Sequence, residues 1–173
     1  MTRRRFIGGT GLVLAGLHSK SRTVAAPGPS TAPATTVDVL LDEQIGTIAP
    51  ELYGHFIEHL GGVIYDGIWV GEDSPIPNIG GIRKAIVEWM KRLRPAVIRW
   101  PGGCFAERYD WRDGIGPRGR RPRRQTGYRD GIEPNLFGTH EFMQFCRLVD
   151  AQPYLGANVS TGSAQQFHRW VEY

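Results

Sequence analysis

Ile82, Ala85, Ile86, Trp89, Met90 and Leu93 recur at steps of three and four, which predicts one apolar face of a helix. Pro95 stops that helix, and Ala96 to Trp100 then reads as an apolar strand closed by Pro101-Gly102-Gly103. Phe142, Phe145, Cys146 and Val149 predict a second amphipathic helix, with Cys146 as a core residue. Pro153 to Val159 follows as a strand, and Ser163 with Gln166 three positions later matches a capping box for a helix through Phe167, Trp170 and Val171. Upstream, Val37 to Leu41 is a short β-rich run before an Asp42-Glu43 turn, and Leu52 to Glu58 is another strand candidate that ends at Gly61-Gly62. Between the two helical faces lies a long Arg-, Gly- and Pro-rich stretch from Asp110 to Gly138.

Alternating strands and helices at this spacing predict an α/β fold of parallel βαβ units. Such units place ligands at the carboxyl ends of their strands. Those ends are His55 to His59, Arg99 to Phe105 and Asn158 to Gly162, each polar or Gly-rich. A doubly wound sheet and the first part of a (β/α)₈ barrel give the same pattern, so periodicity does not separate them.

Length and charge narrow this picture. The 173 residues suit one ordinary domain but fall short of the roughly 250 that a complete (β/α)₈ barrel takes. Two cysteines exclude a disulfide scaffold. No apolar run approaches the roughly 18 residues that would cross a bilayer. The net charge of +4 is unevenly placed: residues 1–37 hold five cations and no acid, leaving 16 cations against 17 acids in 38–173. Arg3-Arg4-Arg5-Phe6-Ile7, a weakly apolar middle and the small residues Val24, Ala25 and Ala26 resemble a twin-arginine export signal over 1–26. A Pro/Ser/Thr linker then spans 27–36, and 37–173 is the globular part. That address implies a periplasmic or secreted protein with no membrane attachment after cleavage; a basic N-terminus by chance would leave it cytoplasmic. Proteins exported this way fold first in the cytoplasm, so the cysteines need not pair.

Two other chemistries have some footing in the sequence. Arg118 to Arg129 holds six arginines in twelve residues, the natural mark of a polyanion- or nucleic-acid-binding module. Tyr128 is its one aromatic, poor for base stacking, and the balance beyond the leader makes no large basic field. His55, His59, His140 and His168 never form a metal-ligand pair with a nearby acid on a helix, and on a strand a spacing of four does not converge. No metal, no cofactor and no nucleic-acid partner is expected.

Three blocks carry a specific resemblance: Tyr53-Gly-His-Phe-Ile-Glu-His59, Ile98-Arg-Trp-Pro-Gly-Gly-Cys-Phe-Ala106 and Phe137-Gly-Thr-His-Glu-Phe-Met143. With Gly67-Ile-Trp-Val-Gly-Glu-Asp-Ser-Pro-Ile-Pro-Asn78 and Trp170-Val-Glu-Tyr173, they resemble the N-terminal portion of α-L-arabinofuranosidases of glycoside hydrolase family fifty-one. The resemblance implies a retaining glycosidase that removes terminal α-L-arabinofuranosyl units from arabinan or arabinoxylan, on a (β/α)₈ barrel packed against a β-sandwich, commonly in oligomers. About three of the eight βα units fit into this length, so the barrel is expected to be incomplete and the sandwich missing. Retention requires two carboxylates about 5–5.5 Å apart. The family's acid/base Glu directly follows an Asn, and no Asn-Glu dipeptide occurs here. Both catalytic carboxylates are therefore expected beyond Tyr173, and this chain alone is expected to be inactive: a truncated enzyme, or a remnant that at most binds sugar.

The resemblance does imply substrate-binding positions within the chain. Glu58 matches an acceptor of sugar hydroxyls, the alternative being a strand-end salt bridge. Arg99 matches an arginine that organises the pocket floor, where it can fork onto a carboxylate such as Glu58; otherwise it is structural support. Cys104 matches a substrate-contact position, or is an inert thiol. Phe56 lines the sugar site or belongs to the core. Asn158 bonds near the pocket or caps the following loop. Tyr128 stands where the family commonly has a Trp that stacks on the sugar, in a loop one residue shorter.

Overall fold

The protein is described by a computed structural model over residues 37–126 and 131–173. The leader, the linker and Tyr128 lie outside the described residues.

Three parallel strands organise the globular unit, which runs from Gln44 to Tyr173. Strand β1 is His55–Phe56; a small antiparallel pair, β2 (Asn78–Ile79) and β3 (Ile82–Arg83), leads into helix α1 (Lys84–Leu93). Strand β4 is Val97–Trp100, and strands β5 (Arg124–Gln125) and β6 (Ile132–Glu133) form a second antiparallel pair. Helix α2 (Thr139–Val149), strand β7 (Gln152–Leu155) and helix α3 (Ala164–Glu172) follow. The sheet order is β1-β4-β7, and its strands run parallel throughout, as the βαβ reading predicts.

Alternation along the strands separates two faces. Ile98 and Trp100 are fully buried, and Trp100 stacks on Phe142 at 5.1 Å with the edge of Trp170 at 5.8 Å. This face meets the helices and forms the main core. Phe56, Arg99 and Tyr154 face the other way, side by side in register. Phe56 is 50% and Tyr154 55% exposed.

The predicted face of α2 is buried at every position, Phe142, Phe145, Cys146 and Val149. Burial pushes the Cys146 thiol up to about 12, so it is an inert core group. Ser163 caps α3, its hydroxyl accepting from the Gln166 N–H at 3.2 Å.

Several predicted elements are shorter or rotated. Val37 to Leu41 is exposed and makes no strand, because no partner ladder lies beside it among the described residues. Leu52 to Glu58 is extended only at its end: Pro50–Tyr53 forms a 3₁₀ turn with proline in its first turn, and just two residues enter the strand. In α1 the inward stripe is Ile86, Val87 and Met90, while Trp89 and Leu93 are more than half exposed. The last strand stops at Leu155, leaving Val159 exposed. The stretch from Asp110 to Gly138, which the sequence marks only by composition, holds 3₁₀ turns and the β5–β6 pair.

Candidate functional site

The carboxyl ends of β1 and β4 lie together. Past β1 the ladder continues irregularly, with Ile57 N–H donating to Arg99 O at 2.9 Å and His59 N–H to Pro101 O at 3.3 Å. Glu58 is thereby carried beside the loop that follows β4. Its Oε1 accepts from the backbone N–H groups of Gly103 at 2.8 Å and Phe105 at 3.0 Å. Both bonds converge on Oε1, so Oε2 remains as an acceptor for a ligand hydroxyl. Gly102 has a positive φ of 153°, and a Cβ there would come within 2.4 Å of Glu58 Cγ. Only glycine allows the loop to close this tightly on the carboxylate.

The expected fork of Arg99 onto Glu58 does not form. Arg99 lies over the Phe56 ring at 4.8 Å and the Tyr154 ring at 5.9 Å, a cation–π arrangement imposed by the register of the three strands. Phe56 therefore belongs to the open face and not to the core. Cys104 is exposed and lines a cavity of about 330 Å³ between the loop after β4 and the β5–β6 pair, together with Glu107, Arg108, Asp113 and Arg124. Asn158 closes its own loop: its Oδ1 accepts from the N–H groups of Thr161 and Gly162, each at 2.9 Å, and its Nδ2 donates to Tyr109 O at 3.2 Å.

Beneath Glu58 runs a buried polar chain that the sequence does not reveal. The His59 side chain is 1% exposed. Trp100 Nε1–H donates to His59 Nε2 at 2.9 Å, and His59 Nδ1 lies 2.9 Å from Glu133 Oε2. An indole N–H can only donate, so Nε2 must accept and the ring proton sits on Nδ1, facing Glu133. Glu133 Oε1 also accepts from the Tyr65 hydroxyl and from the Asn135 N–H at 2.8 Å. Burial first, then the Glu133 charge and hydrogen bond, hold the Tyr65 hydroxyl far above its ordinary range.

Three arginines of the arginine-rich stretch, Arg118, Arg121 and Arg124, are paired with carboxylates. Glu141 accepts from Arg118 Nε at 2.8 Å, from Arg121 at 3.0 and 3.1 Å, and from the Gly138 N–H at 2.8 Å, satisfying the start of α2. Burial alone would raise the Glu141 carboxyl, but the two guanidinium groups outweigh it and hold it below the usual carboxylate range. Arg118 also reaches Glu72 at 3.0 Å and covers Trp69, and Arg124 forks onto Asp113 at 2.7 and 3.0 Å. Gly114 and Gly138 touch nearby: a Cβ on Gly138 would lie 1.8 Å from Gly114 O. The Tyr109 hydroxyl lies against Gly114, buried and without a hydrogen-bond partner.

Among the described residues no group of three His, Cys, Asp or Glu side chains is arranged to hold a metal ion, and no helix is long and apolar enough to cross a membrane.

Residues 89–170 match the family model described as "Alpha-L-arabinofuranosidase 1 domain". An intracellular exo-α-L-arabinofuranosidase from Bacteroides ovatus is 44% identical over 158 residues, which is 91% of this chain and 31% of that protein. α-L-Arabinofuranosidase C from Emericella nidulans is 40% identical over 140 residues, 81% of this chain and 28% of that protein. Among solved structures, a GH51 arabinofuranosidase from Xanthomonas axonopodis pv. citri is similar with a TM-score of 0.74 at 45% identity, over 77% of this chain and 27% of that one. The chain therefore spans about 30% of the length of the relatives it matches.

Proposed function

We propose, for a chain that matches the N-terminal part of family-51 α-L-arabinofuranosidases, that it carries the sugar-hydroxyl side of a retaining arabinofuranosidase site. The substrate is a terminal α-L-arabinofuranosyl unit of arabinan or arabinoxylan. The observation that carries this reading is Glu58, fixed through Oε1 by two backbone N–H groups at a parallel strand end, with Oε2 available to a hydroxyl. Arg99, Phe56 and Cys104 frame that site, and Tyr128 is assigned to stack on the ring. Asn158 supports it by shaping the loop after β7. The three parallel strands are read as the opening of a (β/α)₈ barrel, in a protein that also has a β-sandwich and assembles into oligomers.

The bond-breaking pair is assigned to residues outside these 173. Glu133 and Glu141 are committed to fixed hydrogen bonds, Glu58 is assigned to sugar hydroxyls, and no Asn-Glu dipeptide is present. The chain by itself then binds sugar without cleaving it. The leader over 1–26 is proposed to export the protein, in contrast to the Bacteroides relative, whose name calls it intracellular.

The test is a pair of measurements on the purified 173-residue chain. Arabinose release from an aryl α-L-arabinofuranoside should be absent, while free L-arabinose should shift the Gly103 and Phe105 amide resonances. Hydrolysis by the pure chain would refute the assignment of the catalytic pair; no shift at saturating arabinose would refute the binding site.

A further inference from the structure

The loop from Gly103 to Phe105 holds Glu58, but something must hold the loop. Phe105 contributes one of the two N–H groups, and its ring stacks face to face on the His59 imidazole, centroids 4.4 Å apart and 11° from parallel. His59 is the residue next to Glu58, so the carboxylate and the loop that grips it share one support. That support is fixed at both nitrogens. Trp100 donates to Nε2 from the strand that leads into the same loop, and Glu133, on β6 and 74 residues away along the chain, accepts the hydrogen bond of Nδ1–H. Tyr65, Tyr109 and Phe137 also pack against the ring, and among the described residues Glu133 is the single charged group bonded to it.

We infer that Glu133 and His59 form a positioning pair: Glu133 locks the imidazole in its Nδ1–H form and orientation, and the locked ring sets the Gly103–Phe105 backbone donors at the spacing that orients Glu58. The inference rests on the proposed role of Glu58 only for its consequence in sugar binding. The coupling from Glu133 to the loop stands on geometry alone. Mutual orientation of this kind is what a buried, fully satisfied network provides. Glu133 also terminates the β5–β6 pair, so the same contact sets the height of that pair against the strand ends.

The experiment uses the full 173-residue chain in three forms: unchanged, Glu133→Gln and His59→Phe. In the unchanged chain, long-range ¹H–¹⁵N spectra should give His59 as the neutral Nδ1–H form at pH 7. An Nε2–H form would overturn the inference without any variant. Glu133→Gln keeps the shape but removes the charge; His59→Phe keeps a ring against Phe105 but removes both hydrogen bonds. Hydrogen exchange at the Gly103 and Phe105 amides should quicken about ten-fold or more in both variants, beyond any change at the Phe145 and Cys146 amides in α2. Equal quickening at all four would mean general loosening and would overturn the inference. So would an unchanged loop, since stacking alone would then suffice. If a variant does not fold, the other variant and the imidazole spectrum of the unchanged chain decide. L-Arabinose titration separates the two readings: loop exchange that quickens in a chain showing no arabinose binding would retain the pair and remove the sugar site.

Discussion

The strand-end site and the arginine-rich stretch are both polar and glycine-rich in sequence, yet they treat charge in opposite ways. At the strand ends Glu58 is held by neutral backbone N–H groups, and Arg99 lies on aromatic rings, so neither charge neutralises the other. In the arginine-rich stretch Glu141 is buried between Arg118 and Arg121, and Arg124 meets Asp113. One region leaves its charges unpaired with each other; the other ties Arg118, Arg121 and Arg124 to carboxylates. A carboxylate fixed by dipoles retains its charge for a partner, whereas one fixed by guanidinium groups has found its partner already.

The comparison breaks most sharply at Glu141. Glu141→Ala leaves Arg121, 8% exposed, without its carboxylate and should cost about 3–5 kcal/mol in a denaturant titration. Because the native Glu141 carboxyl is depressed, its stabilisation is fully present above the ordinary carboxylate range and is lost as pH falls through the native value. Stability measured from pH 6 to pH 2 should decline through that window, and Glu141→Gln should flatten the decline. At the strand ends the expected outcome is reversed. Glu58→Gln retains an oxygen for Gly103 and Phe105, so stability should change by less than about 1 kcal/mol. Arabinose binding should fall about ten-fold or more, as loss of a hydrogen bond to a charged group does. A large stability loss with binding retained would erase the distinction between the regions.

Smaller effects test the edges of the comparison. Tyr109→Phe removes a buried hydroxyl that has no hydrogen-bond partner and should stabilise the fold by about 1 kcal/mol, read as a raised denaturation midpoint. Arg123→Ala, at an exposed position that no carboxylate holds among the described residues, should lie within about 0.5 kcal/mol of the parent. Salt-dependent DNA binding abolished by Arg123→Ala would instead revive the polyanion reading of this stretch.

How much the sequence revealed follows the same division. Helical periodicity located α2 because Phe142, Phe145, Cys146 and Val149 all face one core, and alternation of elements predicted that β1, β4 and β7 run parallel, while their order comes from the structure. The sequence block around Glu58 places it at the end of β1, where the structure holds it by the Gly103 and Phe105 N–H groups. The placement of Arg99 was not legible: a fork onto Glu58 was expected, but strand register sends Arg99 onto Phe56 and Tyr154, and register is a tertiary property. Val37 to Leu41 has strand composition, but a strand exists only with a partner. The His59–Glu133 bond spans 74 positions, and no local pattern announces such a pairing. The phase of α1 escaped for a related reason: Trp89 and Leu93 fit the helical period, while Val87 fits the space.

The contact between Gly114 and Gly138 has an evolutionary edge. Every other amino acid carries a Cβ, and at Gly138 that atom would overlap the Gly114 carbonyl oxygen, while at Gly114 it would meet the Tyr109 hydroxyl at 2.1 Å. In a saturation library selected for folded protein, Gly138 should be empty of substitutions. Gly114 should accept a small residue only in clones whose position 109 has lost its hydroxyl. These positions would therefore drift together or not at all, and a paired tally of surviving clones would record the width of one methyl group.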